Sequence, residues 1–175
     1  MAIQVIEGRF GQYVRLEEVR VKYCNFKGVG NDYNREGDRN FNIVIADPND
    51  AAELGALGLN IKPDNIDDED PERNTWKLKV AVKYRTRNGK AVKAPDIRLL
   101  NRKGTLVPIS EETIGELDSI DIACVTLVIN LYQYGDNGNT SAYLSDMVVF
   151  PRPALLDDIY AKYEYPQDDE VPFGE

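Results

Sequence analysis

The sequence predicts a mainly β domain, a five-stranded Greek-key barrel with a short helix before its last two strands. Three observations predict it. From Thr75 to Arg85 the apolar Trp76, Leu78, Val80, Val82 and Tyr84 alternate with Lys77, Lys79, Ala81, Lys83 and Arg85, the period that turns one strand face to a core and the other to water. Ile122 to Tyr134, the most apolar run in the chain, and Ala142 to Phe150 flank Asp136-Asn137-Gly138-Asn139, the composition of a hairpin turn. Between these regions Ser110 precedes Glu111 and Glu112, with Ile114 and Leu117 three residues apart, which reads as a short capped helix with negative charge at its N-terminus.

The remaining elements follow in order. Tyr13 to Phe26 is a long extended run in which Val19, Val21 and Tyr23 alternate with Arg20 and Lys22, a first strand. Lys27 to Asn40, rich in glycine, asparagine and aspartate, is a loop, and Phe41 to Ile45 resumes strand character until Pro48 stops it. Asp50 to Leu57 makes a short helix capped by Asn49 or Asp50. Pro63 to Glu72 is too charged to pack and is expected to be an exposed, mobile acidic insertion. After the basic strand come a turn at Arg87-Asn88-Gly89-Lys90, a weaker strand through Ile97, Leu99 and Leu100, a second turn at Arg102-Lys103-Gly104, and Leu106-Val107. Without the insertion, the order is three strand regions, a helix and a final hairpin. That is the order of an OB-fold, whose middle strands commonly face a single-stranded ligand; a plain β-sandwich is the alternative.

A chain of 175 residues, 42% hydrophobic and 29% charged, suits one such domain over residues 1–153, followed at 154–175 by a short helix and an acidic C-terminal tail. Met1-Ala2-Ile3-Gln4 lacks the basic start of a secretory leader, and no apolar run approaches a membrane span. With no histidine, Cys24 and Cys124 in strand-like runs read as buried thiols, neither metal ligands nor a disulfide.

The net charge of −9 would argue against a nucleic-acid binder, but the charge is segregated. Residues 154–175 hold seven acids against Lys162, and the insertion holds six acids and no base. Between Arg73 and Lys103 lie eleven bases against Asp96 alone. A binder of single strands needs cations along the phosphates and flat rings on which bases stack. Lys77, Lys79, Lys83 and Arg85 share one strand face, about 6.6 to 7 Å between alternate residues, near the spacing of phosphates in an extended strand. Tyr33, in a loop with Arg35 and Arg39, and Tyr132 and Tyr134, near the end of the final hairpin, are the candidate stacking rings. Each tyrosine has a second reading, its ring packed on a neighbour with the hydroxyl in water. The segment Tyr33 to Phe41 likewise reads also as a plain turn, with Gly37 supplying the unusual backbone angle. Trp76 and Tyr84 point into the core.

The segment YNREGDRNF (33–41), the basic strand TWKLKVAVKYR and the hairpin INLYQYGDNGNTSAYLSDMVV together resemble the single-stranded-DNA-binding proteins of tailed bacteriophages and prophages, over nearly the whole folded region. The resemblance implies an OB-fold, sequence-independent protection of single-stranded DNA in replication and recombination, no catalysis, no cofactor, and the cytoplasm of a bacterial host. Such binders work as monomers, dimers or tetramers, so a homo-oligomer is among the expected partners. The tail QDDEVPF is similar to the acidic tip by which bacterial single-stranded-DNA-binding proteins dock replication and repair enzymes. Asp168, Asp169, Glu170, Val171, Pro172 and Phe173 match it in character, which implies replication or recombination proteins as partners. Gly174 and Glu175 depart from it, because the bacterial tip ends on its phenylalanine.

Two other functions compete. Asp64, Asp67, Asp68, Glu69 and Asp70 offer oxygen ligands for a magnesium-dependent nuclease, but a catalytic metal needs rigidly held ligands and this segment lacks a core. A structural or adaptor β-protein, such as a virion component, fits the composition and predicts stable assembly without nucleic acid.

Overall fold

The computed structural model describes residues 1–9, 11–134 and 139–153. Its frame is five strands: β2 (Gly11–Asn25), β3 (Arg39–Ile45), β5 (Thr75–Val82), β8 (Ile122–Tyr134) and β9 (Asn139–Pro151), with β1 (Ala2–Gly8), β4 (Lys62–Asn65), β6 (Asp96–Leu100) and β7 (Leu106–Ile109) attached. Antiparallel pairing runs from β5 through β3, β2 and β8 to β9. A parallel pairing of Val80 and Ala81 with Ala142 and Tyr143 then joins β5 to β9 and closes the barrel. Taken alone, the barrel strands lie in the order first, second, third, fifth, fourth, the Greek key of an OB-fold.

Period-two alternation fills this barrel. Phe41, Ile43 and Ile45 of β3, Leu78, Val80 and Val82 of β5, and Val125, Leu127 and Ile129 of β8 are all buried. Trp76 and Tyr84 pack against the same core, as their parity requires. A 3₁₀ helix, Ile114–Ser119, precedes β8 and buries Ile114 and Leu117. It starts later than the short helix expected to be capped by Ser110. That residue's carbonyl accepts from Ile114 N while its own N–H donates to Thr113 Oγ1, so Thr113 occupies the cap position. Asp118 on this helix accepts the backbone N–H groups of Phe26 and Lys27, each at 2.9 Å, and so fixes the exit of β2.

β2 is bent rather than straight. Glu18 and Tyr23 both have φ of +54°, and its register shifts against β8 between Leu16 and Val19 and against β3 between Lys22 and Asn25. These are β-bulges, which let one strand leave one neighbour and curl onto another.

Four expectations need correction. β1 pairs with β2 in a hairpin that the sequence reading left unassigned. The α-helix α1 spans Pro48–Ala56 with Asp47 as its cap, accepting from Asn49 N, so Pro48 starts the helix at a position where a missing N–H costs nothing. β5 ends at Val82, three residues before Arg85. The acidic segment is packed in part: β4 pairs with β5, and Asp67 Oδ1 accepts the N–H groups of Glu69 and Asp70 while Asn74 accepts that of Asp67. Local carboxylate-to-backbone bonds order a stretch with almost no apolar content. The short helix and acidic tail expected at 154–175 lie outside the described residues.

Candidate nucleic-acid interface

Residues directly opposite in an antiparallel pair share a face, so the register builds the outer surface of β2, β3 and β5 in rows. Arg20, Val44, Lys77 and Lys62 form one row across β2, β3, β5 and β4. Lys22, Asn42 and Lys79 form the next. Asn25, Asn40, Ala81 and Tyr143 form a third, the last across the closing seam to β9. The middle of this surface is the floor of an open groove of about 1150 Å³. Among the described residues its lining carries Lys62, Lys77, Lys79 and Lys83, six asparagines and three tyrosines, and no carboxylate. A concave surface with that charge attracts a polyanion along its length.

One wall of the groove is the loop between β2 and β3, held by asparagine side chains. Asn25 Oδ1 accepts the N–H groups of Gly28 and Val29, both at 3.0 Å. Asn34 donates to the carbonyls of Val29, Arg35 and Asp38 and accepts from buried Asn40 at 2.8 Å. Glu36 accepts from Gly30 N. Gly28 and Gly37 have φ of +75° and +92°, and a Cβ on Gly28 would lie 3.2 Å from the Gly37 backbone, so only glycine permits this approach. The scaffold presents one aromatic ring: Tyr33 is 94% exposed at the tip, its N–H taken by Asn31.

Tyr23, at the bulge, forms another part of the wall. It is 53% exposed, and its hydroxyl donates to Asp64 Oδ1 at 2.8 Å. Lys22 donates to Asp64 Oδ2 at 2.9 Å, and Thr75 Oγ1 reaches the same oxygen at 3.3 Å. Burial works against the charge on Asp64, but the hydrogen bonds from Lys22 and Tyr23 outweigh it and hold the carboxyl below its usual range. The bond to Asp64, then that to Tyr23, lifts Lys22 above the ordinary lysine value. Cys24 beside them is a free thiol pushed up to about 11, first by burial and then by Asp118, so at neutral pH it is uncharged.

The structure sorts the residues singled out from sequence. Tyr33, Lys77, Lys79 and Lys83 all line the groove. Lys83 also approaches Asp38 at 3.9 Å. Arg35 lies exposed on the Tyr33 loop outside the lining. Arg39 is half-buried, its guanidinium 5.5 Å from the Tyr84 ring, and so braces the loop from behind. Arg85 points out of the groove and pairs with Glu111 at 2.8 Å. Tyr132 stacks obliquely on Tyr143 at 5.8 Å, one ring removed from the lining. Tyr134 ends β8 opposite Asn139, its side chain outside the described part, as are Asp168, Asp169, Glu170, Pro172 and Phe173. Among the described residues no three His, Cys, Asp or Glu side chains are grouped to hold a metal.

A family model described as "Putative phage ssDNA-binding domain" matches residues 3–172. The chain belongs to that family. The matched span of this phage ssDNA-binding domain contains every residue of the groove. Among solved structures, the single-stranded DNA-binding protein from bacteriophage Enc34 in complex with ssDNA is similar, with 16% identity over 86% of this chain and 92% of that one and a TM-score of 0.51. A C-terminal truncation of the Enc34 protein is similar at 14% identity over 88% and 98% of the two chains, also with a TM-score of 0.51. Likeness at such identity is a likeness of fold. No curated protein sequence matches at a significant level.

Sequence reasoning about this family member missed Tyr23, Lys62 and Tyr143, all in the groove lining. Lys62 was hidden beside the segment read as unpacked, and Tyr143 inside an apolar strand. Tyr23 was assigned to the apolar side of β2, and the bulge reverses its parity.

Proposed function

We propose that this protein binds single-stranded DNA without sequence preference along the outer face of β2, β3 and β5, protecting it during phage replication and recombination in the host cytoplasm. The observation that carries the reading is a groove whose described lining holds four lysines and no carboxylate, edged by a fully presented Tyr33 on a hydrogen-bonded loop. Lys62, Lys77 and Lys79 lie on rows set by strand register, so they follow a backbone rather than a base edge, which is the signature of sequence-tolerant binding. Membership of the phage ssDNA-binding family supports the same ligand. The protein acts by holding its ligand and carries no catalytic step. Residues 1–153 are the binding unit, and the acidic tail at 154–175, through Asp168, Asp169, Glu170, Pro172 and Phe173, recruits replication or recombination proteins.

Titration with oligo-dT, followed by intrinsic fluorescence at several salt concentrations, tests this. The expected result is tight binding that weakens steeply with salt and exceeds affinity for duplex DNA. Equal affinity for duplex, or no binding at low salt, overturns it. A chain ending at residue 163, run alongside, keeps the DNA affinity and loses binding to partner proteins.

A further inference from the structure

Tyr23 joins an unusual backbone angle to a tethered side chain in the groove wall. A bulky residue at φ +54° costs free energy that its surroundings must offset, and such positions collect where a side chain is being aimed. Here the offset is visible: the hydroxyl is fixed by Asp64, whose side chain is only 1% exposed and is delivered by the β4 strand. The ring stays half exposed, with Lys22 Nζ 5.1 Å and Lys77 Nζ 4.9 Å from its centroid. Lys22 is held by Asp64 as well, but the Lys77 ammonium rests on the ring as cations do on aromatic faces in the absence of a better partner. Phosphate is that better partner, and a lysine that moves to it bares the ring for a base.

Tyr23 also stands at a junction. It lines the main groove, while Lys22, Asp64 and Thr75 line a second cleft of about 430 Å³ with Arg20, Arg152 and Asp121, the last two bonded to each other at 3.1 Å. The Tyr23 hydroxyl bonds to Asp64 of the second cleft, which places the ring where a strand passing from one to the other would cross.

Building on the groove reading, we propose that Tyr23 is a base-stacking residue at this crossing and that Asp64 is its positioning residue, an acidic side chain that strengthens binding to a polyanion. Asp64 acts through the tyrosine hydroxyl, and its own charge is spent on Lys22 and Tyr23 rather than turned to the ligand. The prediction runs against simple electrostatics, in which deleting a carboxylate beside a DNA track tightens binding.

The test uses the full chain and an oligo-dT with one internal 2-aminopurine, whose emission falls on stacking. Tyr23→Ala is expected to weaken binding about ten-fold with the salt slope unchanged. Asp64→Ala is expected to weaken it about five-fold and reduce the quench, by releasing the ring. Asp64→Asn keeps an oxygen for the Tyr23 hydroxyl and binds at least as tightly as wild type. Tyr23→Phe, which removes only the tether, reproduces the Asp64→Ala loss even if that variant folds poorly. In the Tyr23→Ala background, Asp64→Ala has no further effect. Tighter binding by both Asp64 variants, wild-type behaviour of Tyr23→Phe, or an undiminished Asp64→Ala effect without the ring overturns the proposal. The groove reading fails on a different result: replacement of Lys77, Lys79 and Lys83 without loss of affinity, while the Tyr23 and Asp64 variants follow the pattern above.

Discussion

The two halves of the basic segment start with the same charge and end in opposite roles. Lys77, Lys79 and Lys83 lie on or just past β5 and turn into the groove. Arg85 and, further on, Arg98 lie outside the groove and meet carboxylates closely, Glu111 at 2.8 Å and Asp96 at 3.5 Å, while the Lys83 approach to Asp38 is a looser 3.9 Å. The reason is topological. β5 pairs with β9 at Val80 and Ala81, and β6 then takes over the same edge of β9 from Asp146 to Val149, carrying its arginine away from the lysine rows. A run of charge in sequence becomes a charged surface only as far as one strand keeps one face outward.

Removing the front half tests this division most directly. Replacing Lys77, Lys79 and Lys83 together with alanine is expected to lower affinity for oligo-dT about 100-fold at low salt and to flatten the salt slope by about 2, since each single-strand phosphate contact contributes about 0.7. The loss should be uniform across base compositions if, as proposed, these side chains address phosphate. Binding isotherms at four salt concentrations check both numbers. An unchanged slope would put the phosphate track elsewhere.

A smaller effect separates stacking from charge. Tyr33→Ala deletes a ring that is 94% exposed and whose loop is held by backbone and asparagine hydrogen bonds, so the fold loses nothing. Affinity is expected to fall by about 1 to 3 kcal/mol, the worth of one stacked base, while the salt slope stays that of wild type. Thermal unfolding of the variant should match the parent. A lowered melting temperature would mean that the ring packs on the protein, the ordinary role of a tyrosine at a strand end.

Much of this was legible in the chain. Alternation from Trp76 to Val82 marked both the core and the lysine face, because a regular strand on a curved barrel needs nothing else to assign its sides. The loop YNREGDRNF was legible as special, since Gly37 and the surrounding asparagines allow a fold that bonds to itself. Tyr23 was not legible, because a bulge is decided by how β2 meets two neighbours at once and leaves no periodic trace. β4 was hidden for another reason. Lys62-Pro63-Asp64-Asn65 has poor strand composition, and it pairs because Asp64 finds Lys22 and Tyr23, about forty residues earlier. Arg85 illustrates the same blindness to distance, as its partner Glu111 lies 26 residues ahead.

That partner makes Arg85 the smallest test and the one that closes the comparison. The pair with Glu111 is exposed on the arginine side, where water screens it, so Arg85→Ala should cost about 0 to 1 kcal/mol of stability. Its effect on oligo-dT affinity should stay within about two-fold, because a guanidinium already bonded to a carboxylate brings little net charge to a phosphate. Glu111→Ala is the informative companion. It frees the same arginine, so any phosphate passing near the end of β5 gains a cation and binding tightens slightly. Equal and large losses from Arg85→Ala and Lys79→Ala, measured in one salt series, would extend the track past Val82 and dissolve the division between the two halves.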